Sequence, residues 1–150
     1  MSEGCAFCRI VARSEPADIV WEDNFTLAFI DLRQFHAGHT LVIPRAHFND
    51  VRELDPGTGA ALMNTLSRIT AAVGATFPNQ GLSLWHSVGE AALQEVPHLH
   101  FHIHPRKVGD DLLRIYPTWA QEPVGAVRES YAEALRNYLA SKSNQRLERP

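Results

Sequence analysis

Four histidines alternate with apolar residues in His98-Leu99-His100-Phe101-His102-Ile103-His104. On a β-strand successive side chains point to opposite faces. The four imidazoles then share one face, and Leu99, Phe101 and Ile103 share the other. One side is fastened to a core; the other presents a row of acid, base and ligand groups. A merely solvated strand face would carry Lys, Glu or Thr instead. Same-side neighbours lie roughly 7 Å apart along a strand, so four rings in a row cannot all bind one ion. The pattern implies a division of labour among them.

Cys5-x-x-Cys8 supplies two thiolates, and zinc takes four ligands in a tetrahedron. There is no second cysteine pair, so histidines must complete any such site. The candidates are His36, His39, His47, His86 and one end of the histidine row. A dithiol redox pair is the alternative. It belongs between a strand and a helix of a thioredoxin-like unit, and no such pattern follows. His39 and His47 flank the β-rich run Gly38-His39-Thr40-Leu41-Val42-Ile43-Pro44-Arg45-Ala46-His47. Taken singly, each is a satisfied turn or core residue. Asp31 ends the apolar run 27–30; a carboxylate there can accept two hydroxyl hydrogen bonds, as a ribose offers, or cap a turn.

The elements that must position these groups follow from periodicity. Residues 5–12 make a short helix, 18–21 and 26–30 two strands around a polar turn, and 38–44 a strand closed by proline. Leu62, Leu66, Ile69 and Val73 form a helical stripe within 58–76. Residues 82–86 and 99–103 are two further strands, with a loop over 89–96. Val127, Tyr131, Leu135 and Tyr138 mark a last amphipathic helix, and the chain after Ser141 is polar. The order predicts an α+β fold, a sheet of about five antiparallel strands with helices packed on one face. It predicts one domain over 1–140 (core 5–106, helical extension 125–140) and a tail over 141–150.

With 45% hydrophobic residues in 150, the chain can bury a real core. A formal net charge of −3 gives no electrostatic reason to bind nucleic acid. No stretch is long and apolar enough for a transmembrane helix. The start, Met1-Ser2-Glu3-Gly4-Cys5, lacks a secretory signal's basic and apolar regions. A cytoplasmic protein is the expectation.

Three motifs in order resemble those of the histidine triad (HIT) nucleotide hydrolases and transferases. They are Cys5-x-Phe7-Cys8, the run from Gly38 to His47, and Gln94-x-Val-x-His-Leu-His-Phe-His-Ile-x-Pro-Arg106. The resemblance covers roughly Cys5 to Arg106. It implies a HIT-like fold, generally a homodimer, binding a purine nucleotide of adenosine type against the histidine strand and cleaving at its α-phosphate. By position His100 is the nucleophile, with His98 and His102 flanking it, His39 behind it and Gln94 on phosphate or leaving group. A neutral imidazole suits this role, its ordinary pKa being about 6.5. Attack on phosphorus gives a nucleotidyl-histidine that water then cleaves, while His102 donates to a nonbridging oxygen. The resemblance further implies that Asp31 binds ribose hydroxyls, that Ala6, Phe7, Ile10 and Phe29 line the purine slot, and that Ser87 lies in the phosphate region. Zinc-containing members would hold a structural metal with Cys5, Cys8, His47 and His98.

The loop before the triad departs from the family's usual Asn-x-Gly-x-x-Ala-Gly-Gln. Ser87 replaces the amide, Leu93 replaces a glycine and implies a different loop path, and Glu95 would repel phosphate if it faced the site. His104 stands where an aliphatic residue is usual. Two rival readings follow: a nucleotide-binding member without useful turnover, and a zinc hydrolase that holds a catalytic metal on the histidine row. In related enzymes the C-terminus shapes substrate choice, which singles out Tyr116 and Trp119, though ordinary packing is the plainer role for both.

Overall fold

Alternation along the strands decides how the sheet is buried. In a computed structural model describing residues 4–112, 120 and 122–147, β1 (Ile19–Glu22), β2 (Thr26–Ile30), β3 (Thr40–Pro44), β4 (Gly81–Trp85) and β5 (Phe101–Arg106) form one antiparallel sheet of order β1-β2-β3-β5-β4. Register places Phe29 opposite Leu41, Leu41 opposite His102, and His102 opposite Trp85. These four side chains share one face. On the other face Ala28, Val42, Leu99 and Ile103 pack with Leu62, Leu66, Ile69 and Val73 of α2 (Pro56–Thr76). The stripe expected from the sequence is thus the buried face of α2.

The ends of α2 have local causes. Asp55 caps the N-terminus, its carboxylate accepting from the Thr58 N–H at 2.9 Å, and Pro56 follows where its missing donor does no harm. At the other end Phe77 precedes Pro78, which disfavours helical geometry at Phe77; its backbone is extended. Gly38, at φ 100°, lies so close to Phe77 that a Cβ there would collide with the ring.

The expected placement of helices on one face describes α2. The six-residue α1 (Ala6–Val11) packs on the opposite, histidine-bearing face, where Phe7, Cys8 and Ile10 join Leu27, Phe29, Leu41 and Ile43. That face is therefore partly covered. The histidine strand also begins later than expected. Pairing starts at Phe101, and the Leu99 N–H turns to the Phe48 carbonyl at 2.7 Å instead of to a neighbouring strand.

The chain divides into two units, residues up to Leu112 and residues from Leu113 onward. The second contains α3 (Gly125–Leu147), which continues past the boundary expected near 140. Tyr131, Leu135 and Tyr138 on it are exposed. Tyr116 and Trp119 lie outside the described residues.

Leu93 takes up the backbone geometry that its side chain disfavours. It holds the left-handed conformation (φ 62°, ψ 38°) that a glycine would adopt freely, closing the short turn Glu90–Ala92. A branched L-residue there costs about 1–2 kcal/mol, and Leu93 is 83% exposed, so no burial offsets it. Glycine's extra freedom in the unfolded chain takes back part of the gain. Leu93→Gly is expected to raise unfolding stability by about 0.5–1 kcal/mol, read from urea midpoints at unchanged slope. A loss of stability would show that the leucine makes a compensating contact.

Candidate active site

The histidines do divide their labour, and hydrogen bonds to carbonyls show how. A carbonyl only accepts, so a ring nitrogen bonded to one carries the proton. The His98 Nε2–H donates to the Pro44 carbonyl at 2.9 Å. Its Nδ1 lone pair therefore faces Cys5 Sγ (3.5 Å) and Cys8 Sγ (3.6 Å). The His100 Nδ1–H donates to the His98 carbonyl at 2.6 Å, which leaves the lone pair on Nε2. The His39 Nδ1–H donates to the Arg33 carbonyl, and its Nε2 lies 2.9 Å from His102 Nδ1. With both rings neutral, His102 Nδ1 must donate in that contact, so its own Nε2 is unprotonated. The expected donation from His102 to a phosphate oxygen thus requires the His39–His102 pair to take up one proton as the anion binds.

His104 is buried. Its Nδ1–H donates to the Pro105 carbonyl at 2.7 Å, and its Nε2 has no partner among the described residues. Its ring lies 4.6 Å from that of His39. His86 donates to the His100 carbonyl and His36 pairs with Asp110, so neither reaches the cysteines.

Burial favours the neutral form of His98, His100, His102 and His104. It holds His100 below its ordinary value despite the favourable bond to the His98 carbonyl, with the His86 charge adding to the effect. His98 is pushed down to about 4, first by burial. His102 is pushed down to about 3, by burial and then by the charges of His100, His39 and Arg33. An unfolded histidine titrates near 6.5. Between that value and about 3 the unfolded chain holds a proton at position 102 that the folded chain refuses. Stability from this ring is therefore complete above pH 6.5 and is lost as pH falls, by up to about 1.4 kcal/mol per pH unit. His102→Gln is expected to flatten that acid limb in urea melts compared at about pH 5 and pH 7. An unchanged slope would place the acid sensitivity elsewhere.

Ala6, Phe7, Ile10, Phe29 and Asp31 come together around one cavity of about 340 Å³, which Leu41, Arg33 and Val96 also line. Phe7 joins the cavity to the triad: its ring meets Phe29 edge-on at 5.4 Å and His100 edge-on at 5.2 Å. Asp31 is buried at the end of β2, one oxygen accepting from the Arg33 N–H at 2.7 Å. Ser87 lies half-buried in the loop after β4, outside the cavity lining. Both ends of the Gln94 amide are engaged with main chain, Oε1 accepting from the Gly89 N–H and Nε2 donating to the Asn49 carbonyl. In this arrangement Gln94 braces its own loop.

Cys5, Cys8, His47 and His98 each offer one ligand atom within 4.8 Å of the others. The donor set fits a tetrahedral N/S metal: two thiols, and two imidazoles of which one has its far nitrogen on a backbone carbonyl. His47 Nδ1 lies 3.3 Å from Cys8 Sγ. Four protein ligands leave no open position. Asp31, His39 and His102 form a second close set, but both nitrogens of His39 are already hydrogen-bonded.

Two features escaped the sequence. Trp85 stacks on His102, the planes 5° apart and the centroids 4.4 Å apart, because β4 and β5 pair in that register. Arg33 clasps Glu95 through two parallel bonds, so the carboxylate expected to repel phosphate is neutralised. Cross-strand alternation would have found the first once the register was known; nothing local announces the second.

A family model described as HIT domain matches residues 12–109. The chain is 34% identical over 141 residues to Protein hit of Bacillus subtilis, covering 93% of this chain and 97% of that one. It is 33% identical over 102 residues to adenosine 5′-monophosphoramidase hnt1 of Schizosaccharomyces pombe (68% and 74% covered). With adenylylsulfatase HINT3 of Arabidopsis thaliana it shares 31% over 122 residues (81% and 59% covered). Among solved structures, a HIT family member from Bacillus subtilis superposes with a TM-score of 0.84 at 32% identity, over 90% of this chain and 96% of that one. A Zn-bound histidine triad family protein from Mycobacterium smegmatis gives 0.68 at 34% identity, over 97% and 99%.

Proposed function

The chain belongs to the HIT domain family, and from that premise we propose that it is a nucleotidyl hydrolase or transferase working through His100. Its substrates are purine nucleoside phosphate derivatives, of adenosine type, and it cleaves them at the α-phosphorus. The observation that carries this reading is the His100 ring. Its Nδ1–H is held by the His98 carbonyl, its Nε2 lone pair is free of that bond, and it shares Phe7 with the wall of the cavity.

Asp31 takes the ribose hydroxyls, and Phe7, Ile10, Phe29 and Ala6 take the base in a mostly apolar slot. The His100 Nε2 lone pair forms a bond to phosphorus as the bond to the leaving group breaks with its electron pair. A water oxygen then bonds to phosphorus, the P–N pair returns to Nε2, and the water's proton leaves to solvent. Splitting one displacement into two is the gain of covalent catalysis. The His39–His102 pair, having taken up a proton, donates to the nonbridging oxygens where charge accumulates. Relatives named as a phosphoramidase and an adenylylsulfatase support the reaction class.

Cys5, Cys8, His47 and His98 would hold zinc, and the Zn-bound relative supports that choice. When bound, a four-ligand zinc supplies structure, fastening the N-terminal segment to the start of the histidine run. We place the protein in the cytoplasm, as its N-terminal residues suggest, and take it to be a homodimer, as the resemblance implies.

The reading of a nucleotide binder without turnover rested on Ser87, Leu93 and Glu95. Leu93 keeps the left-handed turn and Glu95 is paired, which removes two of its three supports. Quenching a reaction with adenosine 5′-phosphoramidate at alkaline pH and weighing the protein tests the proposal. One added adenylyl group, absent from His100→Ala, is the expected result; turnover with no adduct in either protein would overturn it.

A further inference from the structure

Arg33 and Glu95 stand 62 positions apart in sequence and meet in space, Nη1 to Oε1 at 2.9 Å and Nη2 to Oε2 at 2.6 Å. Arg33 follows Asp31 by two residues and lines the nucleotide cavity, and its carbonyl holds His39. Glu95 follows Gln94 and precedes His98 by three residues. Both charges reach the triad: Arg33 is among the groups opposing protonation of His102, and Glu95 among those favouring it at His100. The two side chains are 71% and 62% exposed. Exposed ion pairs contribute little to stability, so folding gives no strong reason for a two-pronged clasp at the mouth of the site. A guanidinium fork fits a carboxylate, a phosphate or a sulfate with the same two parallel bonds.

We propose that Arg33 is the residue that selects the leaving group, exchanging the Glu95 carboxylate for an anionic oxyacid, sulfate or phosphate, attached to the α-phosphorus of the bound nucleotide. The inference rests on the nucleotidyl-transfer reading above and adds the substrate class. When His100 Nε2 bonds to phosphorus, the P–O bond to sulfate or phosphate breaks and that oxygen keeps the electron pair. The group leaves as an anion, and the developing charge falls on the fork. With a phosphoramidate the departing nitrogen keeps the pair and needs a proton, so a fixed cation does not help it. Glu95 then sets a threshold: it occupies the fork until an oxyanion tethered beside it on the bound nucleotide displaces it.

The test compares kcat/KM for three substrates with the same adenosine 5′-phosphoryl part: adenosine 5′-phosphosulfate, ADP and adenosine 5′-phosphoramidate. The readout is the ratio of each oxyanion substrate to the phosphoramidate, which cancels effects on the shared nucleotide. Arg33→Gln is expected to lower the ratio about tenfold or more. Glu95→Gln should raise it, since the fork is released, and Arg33→Lys should fall between wild type and Arg33→Gln. Whichever of sulfate and phosphate shows the larger change is the preferred leaving group. A clasp with a purely structural role predicts that both variants move the ratio alike or not at all, and either result overturns the inference. So does a wild-type enzyme that cleaves the phosphoramidate and neither oxyanion substrate. If wild type cleaves none of the three and forms no adduct, the nucleotidyl-transfer reading itself fails. Melting temperatures near wild type verify that the variants fold.

Discussion

His100→Ala is expected to lower kcat/KM for adenosine 5′-phosphoramidate by about four orders of magnitude or more, the scale seen when a covalent nucleophile is removed. Nucleotide affinity should change by no more than a few-fold. The two effects separate because Phe7, Ile10, Phe29 and Asp31 line the cavity, and His100, which meets Phe7 edge-on, is not among its lining residues. What disappears is the Nε2 lone pair, together with the proton held on the His98 carbonyl at 2.6 Å. Because His100 is buried, the alanine also leaves space. His100→Gln is the companion variant, polar and close in length, and it should be as inactive. Equilibrium binding of AMP and single-turnover rates on both proteins give the two numbers. Normal hydrolysis by either variant would remove His100 from the reaction.

The acid side of the activity profile follows from the same ring. Burial lowers the His100 pKa, so the nucleophile stays neutral below pH 6.5. The His39–His102 pair works the other way, since it must gain a proton to serve the phosphate. An anion in contact raises the affinity of that pair for protons. Nucleotide binding and proton uptake are then linked, and each is strengthened by the other.

Much of this was legible in the sequence because period-two alternation carries most of the information. His98, His100, His102 and His104 against Leu99, Phe101 and Ile103 fixed which side faces α2, and that holds even where ladder pairing stops. The strand's starting point was not legible. It depends on the Leu99 N–H choosing the Phe48 carbonyl, a contact set by the chain after β3. Spacing alone also left the metal partners open among His36, His39, His47 and His86. They differ only in where tertiary structure carries them: His47 to Cys8, His36 to Asp110, His39 to His102 and His86 to the His100 carbonyl. Family resemblance chose His47 where periodicity could not. Charge was harder still. Glu95 read as a repulsive group because its partner lies 62 residues away in sequence.

Cys5→Ser tests the metal centre with an internal control. Cys5 has two jobs: its Sγ accepts from the Cys8 N–H at 3.4 Å as the N-cap of α1, and it faces His98 at 3.5 Å. Serine keeps the first, being one of the best N-cap residues, and is a far poorer zinc ligand than a thiolate. Loss of stability in this variant therefore reports the metal and not the helix end. Zinc bound at a free concentration a thousand times its Kd stabilises by about 4 kcal/mol. The expected result is a fall from one zinc per chain to nearly none, with a lower melting temperature. Chelator should lower the wild-type melting temperature to about that of the variant and leave the variant where it is. Burial holds the Cys5 thiol above its ordinary pKa, and a thiol must lose its proton to bind, so the wild-type advantage should shrink as pH falls. Activity separates this centre from a catalytic metal on the histidine row. With four protein ligands and no open position, removing the ion should cost activity only in step with loss of fold. A chelated protein that stays folded at its original melting temperature yet turns nothing over would place the metal in the chemistry, and unchanged zinc content in Cys5→Ser would take Cys5 out of the ligand set.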